Sequence, residues 1–157
     1  MASAFTQTAY DVDRPAVVLS ESVLSDPLIG QRVDHFEVRG RLGHGGMGIV
    51  YLAHDTALER PVALKILRRD LIGDRDLVDR MIQEARAQAR IQHPNVATIY
   101  YVGNYEGAPY IAMEYIHGKT LEDIVTNQGP LTWENALEVV IQTTKALMAA
   151  HSKGIVH

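Results

Sequence analysis

The 157-residue sequence contains no cysteine. Disulfides and thiolate metal sites are therefore excluded, and nothing points to an oxidising compartment. It also lacks a basic run: formal net charge is −4, so a nucleic-acid footprint is not expected. No apolar stretch approaches the roughly 20 residues of a membrane-spanning helix. The amino terminus has no basic start followed by an apolar block, which argues against a secretory signal. A cytoplasmic protein is the expectation, with any membrane anchor placed elsewhere in a longer parent chain. No internal repeat or low-complexity tract is visible. What remains is a chain that is 46% hydrophobic, enough for one domain with a real core.

One stretch stands out. Gly43-His44-Gly45-Gly46-Met47-Gly48-Ile49-Val50 has the form G-x-G-x-x-G-x-V, and Val62-Ala63-Leu64-Lys65 follows it. Glycines let a backbone lie close against phosphates, where a Cβ would collide or forbid the turn. A lysine supplies a point charge for the same phosphates. Three phosphate-binding loops compete for this pattern. A Walker A loop needs Gly-Lys followed by Ser or Thr, and none occurs. A dinucleotide fingerprint needs a helix directly after the glycines. Ile49-Val50-Tyr51-Leu52-Ala53 is instead β-branched and aromatic and predicts a strand.

The flanking pattern predicts an α+β domain. Strands are expected over His35 to Leu42, Ile49 to His54 and Pro61 to Leu67, with a turn at Asp55 to Arg60. A helix is expected over Asp74 to Gln92. Leu77, Met81, Ile82, Ala85, Ala89 and Ile91 form its apolar stripe, and His93-Pro94-Asn95 ends it. Two further strands are expected over Val96 to Val102 and Tyr110 to Tyr115, joined by a turn at Gly103 to Pro109. Thr120 and Thr132 read as N-caps of helices over Leu121 to Asn127 and Trp133 to Lys153, and Gly154 as the stop of the second. Residues 1–30 read as a disordered amino-terminal tail. Its only apolar cluster is Val17-Val18-Leu19, and Ser3, Thr6 or Thr8 are its candidate phosphorylation sites.

Strand, glycine loop, strand, then a third strand with V-A-x-K resembles the protein kinases, most closely the bacterial eukaryotic-like serine/threonine branch. The resemblance implies a small lobe over residues 31–115, made of a five-stranded antiparallel sheet and one helix. A hinge and the truncated start of a large lobe would follow over residues 116–157. It implies ATP as cofactor, and Mg²⁺ in the intact enzyme. Lys65 would hold the α- and β-phosphates and pair with Glu84 of the helix. These two are the catalytic candidates. Leu42, Gly43, Gly45, Gly46, Gly48, Val50, Ala63, Lys65, Met113, Glu114 and Ile116 would bind the nucleotide. Val50 and Ala63 would cover the adenine, Met113 would be the gatekeeper, and the Glu114 C=O and Ile116 N–H would meet the adenine edge.

His44 is expected to be an ordinary loop residue and His93 part of a structural turn. His151 and His157 have no third ligand, so no metal site is assigned. One departure is Gln88, four residues after Glu84, where the family often has an apolar residue stacking between the lobes. His157 resembles the start of the family's His-Arg-Asp loop. The catalytic base and the Asn and Asp ligands of magnesium are then expected beyond it. The 157 residues alone are expected to lack kinase activity, to bind nucleotide weakly, and to self-associate through residues 133–153. The protein substrate is not legible. The alternative is a non-catalytic, pseudokinase-like module for nucleotide binding or kinase interaction.

Overall fold

The computed structural model of the chain describes residues 26–156. In order the elements are β1 (Arg32–Val33), β2 (Phe36–His44), β3 (Gly48–Asp55), β4 (Arg60–Leu67), α1 (Arg75–Gln88), β5 (Ile99–Tyr105), β6 (Ala108–Glu114), α2 (Leu121–Gln128) and α3 (Trp133–His151). The strands form one sheet in the order β1-β2-β3-β4-β6-β5, with every pairing antiparallel. Helix α1 enters between β4 and β5.

Among the described residues the expected five strands become six. The extra strand is β1, a two-residue piece pairing Val33 with Phe36 and Arg32 with Glu37. It exists because Asp34 takes φ 54° and reverses the chain, a conformation that Asp tolerates better than most residues. Residues 26–30, read from composition as the end of the tail, form a turn instead. The Asp26 carboxylate accepts from Tyr51 Oη at 2.9 Å, Gly30 N–H donates to Val38 C=O at 2.9 Å, and Leu28 packs on the core. The rest of the expected tail, including Ser3, Thr6, Thr8 and Val17-Val18-Leu19, lies outside the described residues, as does His157.

Turn chemistry sets the hairpins. Between β3 and β4 the Asp55 carboxylate accepts from Ala57 N–H at 3.0 Å and Leu58 N–H at 3.1 Å. Between β5 and β6 the reversal is far tighter than the expected loop over Gly103 to Pro109. Glu106 (φ 51°) and Gly107 (φ 85°) make a two-residue left-handed turn, the geometry that favours glycine and suits a twisted hairpin. Gly103 therefore lies inside β5, directly opposite Tyr110. The Tyr110 ring crosses the vacant side-chain position.

Helix α1 starts where expected. Asp74 is its N-cap, accepting from Leu77 N–H at 3.1 Å. It stops at Gln88, short of the expected Gln92, and the chain leaves through tight turns at Arg90 and Ile91. Thr120 caps α2 with a full capping box through Asp123. The Thr120 hydroxyl and N–H hold the Asp123 carboxyl below its ordinary value. Thr132 caps α3, which ends at His151 rather than Lys153, and Gly154 (φ 73°) turns the chain away.

The core has two parts. One lies within the curl of the sheet around Val33, Phe36, Tyr51, Leu64 and Tyr110. The other lies between the sheet and α1, where Met81 and Ala85 meet Leu67 and Ile111. Of the expected apolar stripe of α1, only Met81 and Ala85 are buried. The apolar face of α3 is largely uncovered: Val140 is 60% and Met148 66% exposed, and Ala150 is its one buried residue. No helix among the described residues is long and apolar enough to cross a membrane.

Candidate functional site

Two strands and the loop between them build the roof of a cleft of about 620 Å³. Strand β2 ends at His44 and β3 begins at Gly48. The Gly45 N–H closes the loop by donating to Gly48 C=O at 2.9 Å, and Arg68 N–H holds Met47 C=O at 3.2 Å. The last glycine of the loop has a structural task. A Cβ on Gly48 would stand 2.6 Å from the backbone oxygen of Ile66, whereas a Cβ on Gly43, Gly45 or Gly46 would meet nothing within 4 Å. The protein itself does not require glycine at those three positions.

Register places the rest. Val50 lies opposite Lys65, and Lys65 opposite Ile111, so the three share one face of the sheet. Two residues along, Leu52, Ala63 and Met113 form the next row. Helix α1 closes the side of the cleft and contributes Met81, Glu84, Ala85 and Gln88. Its two buried residues, Met81 and Ala85, press it on the sheet. The neighbouring Glu84 thereby reaches the wall as its one carboxylate.

The structure brings Leu42, Gly43, Gly45, Gly46, Gly48, Val50, Lys65, Glu84 and Met113 together in this cleft. It does not close the expected ion pair: among the described residues, Lys65 and Glu84 are not within 4.0 Å of each other. Both side chains face the same space without touching. Ala63 sits in the second row and is 8% exposed. Glu114 follows Met113 at the end of β6. Its N–H donates to Thr98 C=O at 2.8 Å, and its carboxylate accepts from Thr98 N–H at 3.0 Å. Ile116 lies beyond the strand and is 62% exposed. His44 lines the cleft, and the His93 ring accepts from Asn95 N–H at 3.1 Å, shaping a turn.

Ile99 and Ile111 also line the cleft and escaped the sequence reading. Alternation along β6 from Met113 points to Ile111 on the same face. Ile99 had no such signal, because the start of β5 was misplaced by three residues.

Chemically, the cleft offers a short loop that leaves room for a ligand, one cation, one carboxylate and an apolar wall. Among the described residues no group of three or more His, Asp or Glu could hold a metal ion. With Glu84 as its one carboxylate, the cleft wall does not by itself supply an octahedral magnesium shell.

The family model described as "Protein kinase domain" matches residues 36–157. Serine/threonine-protein kinase PrkC of Bacillus subtilis is 40% identical over 131 residues, covering 83% of this chain and 20% of that protein. Serine/threonine-protein kinase PknB of Mycobacterium tuberculosis is 42% identical over 128 residues, covering 79% of this chain and 20% of that protein. The chain thus spans about a fifth of the length of these relatives. Among solved structures, the PknI kinase domain of Mycobacterium tuberculosis superimposes with a TM-score of 0.71 at 28% identity, over 82% of this chain and 52% of that chain.

Proposed function

We propose that this chain, which belongs to the protein kinase domain family, is the nucleotide-binding part of a serine/threonine kinase. The observation that carries this reading is a single cleft shared by the glycine loop, Lys65 and Glu84. The backbone of Gly43 to Gly48 lies over the phosphates of ATP. Lys65 holds the α- and β-phosphates, and Glu84 pairs with Lys65 to orient it. Val50 and Ala63 cover the adenine beside the gatekeeper Met113. The Glu114 C=O and Ile116 N–H bind its edge.

The 157 residues contain no His-Arg-Asp triplet and no Asp-Phe-Gly triplet. By themselves they supply neither a base for a substrate hydroxyl nor the ligands that hold magnesium in kinases. Positioning and electrostatic stabilisation provide most of phosphoryl-transfer catalysis. This polypeptide alone is therefore expected to bind nucleotide without transferring phosphate. With the cleft built only from the sheet, the glycine loop and α1, Kd for ADP should be on the order of 0.1 mM or weaker.

Replacing Lys65 by Met keeps the stem and removes the charge. It should weaken ADP binding by about 10- to 100-fold, the equivalent of one charge-assisted contact, and leave adenosine binding unchanged. Calorimetric or NMR titration reads both. Micromolar ADP binding by the wild-type chain would refute the affinity estimate. Equal ADP affinity in Lys65→Met would refute the phosphate role of Lys65.

Self-association belongs to the same reading. Trp133, Leu137, Val140, Ile141 and Met148 of α3 are all exposed. Apolar surface of this extent favours contact with another surface, at about 25 cal/mol per Å² removed from water. The 157-residue chain should show a mass that rises with concentration in light scattering. The double substitution Val140→Glu and Met148→Glu should return it to a monomer. A strictly monomeric wild-type species at high concentration would contradict this.

A further inference from the structure

Helix α1 carries Glu84 into the cleft and holds to the sheet through the buried Met81 and Ala85, with Val78 packed beside them; none of these lies in its last residues. Gln88 is the last residue of α1. It lies one turn beyond Glu84 on the same face of the helix and lines the same cleft. Its Nε2 donates a partly buried hydrogen bond to Ala97 C=O at 2.8 Å. Ala97 lies just ahead of β5, whose first residue, Ile99, is part of the cleft wall. One directional bond therefore joins the end of the helix to the start of the strand across the intervening loop.

An apolar side chain at position 88 could pack against the cleft wall but could not hold a carbonyl. The distinction matters because packing tolerates sliding, while a hydrogen bond fixes distance and angle. A helix pinned at its last residue cannot rotate about its axis without breaking that bond. Such a rotation is the movement that would swing Glu84 away from Lys65.

We infer that Gln88 is a positioning residue for the nucleotide site: its hydrogen bond to Ala97 fixes the end of α1 so that Glu84 stays on the wall of the cleft it shares with Lys65. This role rests on the reading of the cleft as a phosphate site; the tether itself does not. Gln88 acts through Glu84 and need not touch the nucleotide.

Two variants separate the bond from the packing. Gln88→Met keeps length and volume and removes the donor. Gln88→Glu keeps the shape and turns a carboxylate oxygen toward the carbonyl. In both, amide exchange in the last two turns of α1 should quicken by about fivefold in the nucleotide-free chain, the loss expected for one modest hydrogen bond. In Gln88→Met, which adds no charge to the cleft, affinity for ADP should fall by about 3- to 10-fold while affinity for adenosine stays unchanged, because only the phosphates report on Lys65.

Unchanged exchange in α1 of both variants would overturn the tether. A parallel loss of ADP and adenosine binding would overturn the positioning role, since packing alone would explain it. If the wild-type chain fails to bind ADP, the nucleotide reading falls and the role of Gln88 with it. If the wild-type chain binds ADP and Gln88→Met binds it equally well, only the role of Gln88 falls.

Discussion

Gly103→Ala should destabilise the chain by about 2–4 kcal/mol, a large effect for one added methyl group. A Cβ at position 103 would stand 2.5 Å from both Cζ and Oη of Tyr110. The ring has nowhere to go. Tyr110 is fully buried. It packs edge-on against Phe36 at 6.0 Å between centroids and lies 6.0 Å from Tyr101. Its hydroxyl donates to the Asp34 carboxylate, the residue whose left-handed conformation creates β1. Burial first, and then this bond to Asp34, pushes the phenol well above its ordinary value, so it stays a neutral donor.

Moving the ring to admit a methyl group costs about 1–3 kcal/mol in a packed core. Losing the Asp34 bond adds about 1 kcal/mol more. Denaturant unfolding monitored by far-UV circular dichroism measures the sum. The double variant Gly103→Ala with Tyr110→Leu should cost less than its two parts added, because Leu vacates the clashing space. A Gly103→Ala midpoint within about 0.5 kcal/mol of wild type would show that the ring is not locked.

The second large effect separates two glycines of one loop. Gly48→Ala should cost about 2–4 kcal/mol, because its Cβ would press on the backbone oxygen of Ile66 at 2.6 Å and strand backbones yield less readily than side chains. Relief would require β3 and β4 to part where Gly48 faces Leu67. That displacement would also shift Lys65, two residues before Leu67 on β4. Gly45→Ala meets open space, and its backbone is not in the left-handed region. Its stability should be unchanged or up to about 1 kcal/mol higher, since alanine restricts the unfolded chain.

ADP affinity in Gly45→Ala should nonetheless drop about tenfold, a loss of roughly 1.4 kcal/mol, because the new methyl group occupies space offered to the phosphates. Thermal midpoints paired with ADP titrations distinguish the two. Equal stabilities for both variants would contradict the division between a structural and a ligand-facing glycine.

The sequence carried the order of every element but β1, because each of those announced itself locally. The β-branched residues after Gly48 excluded a helix there, V-A-L-K placed Lys65 in a strand, and Asp74, Thr120 and Thr132 marked helix starts with side chains that do cap them. The errors arose where a long-range contact overrode a local signal. Gly103 reads as a turn residue, but it is strand backbone roofed by a tyrosine seven residues away. Asp34 stands just ahead of the expected first strand and instead reverses the chain into a sixth. Helix α1 keeps its apolar periodicity beyond Gln88, yet the helix ends there and the Gln88 side chain bonds to Ala97.

For the site, the motif placed the glycines, Lys65 and Glu84 in one cleft. It could not report the distance between Lys65 and Glu84. That distance depends on how α1 sits on the sheet, which Met81, Ala85 and Gln88 decide together. Ile99 and Ile111 were missed because a wall residue carries no chemical mark; only strand register reveals it.

Backbone amide shifts of the ¹⁵N-labelled chain titrated with ADP test the central claim most directly. Shifts are expected at Gly43, Gly45, Gly46, Lys65 and Ile116, saturating together with one dissociation constant and much reduced in Lys65→Met. Shifts confined to surfaces away from the cleft, or an unaltered spectrum at millimolar ADP, would contradict the assignment of this cleft as a nucleotide site.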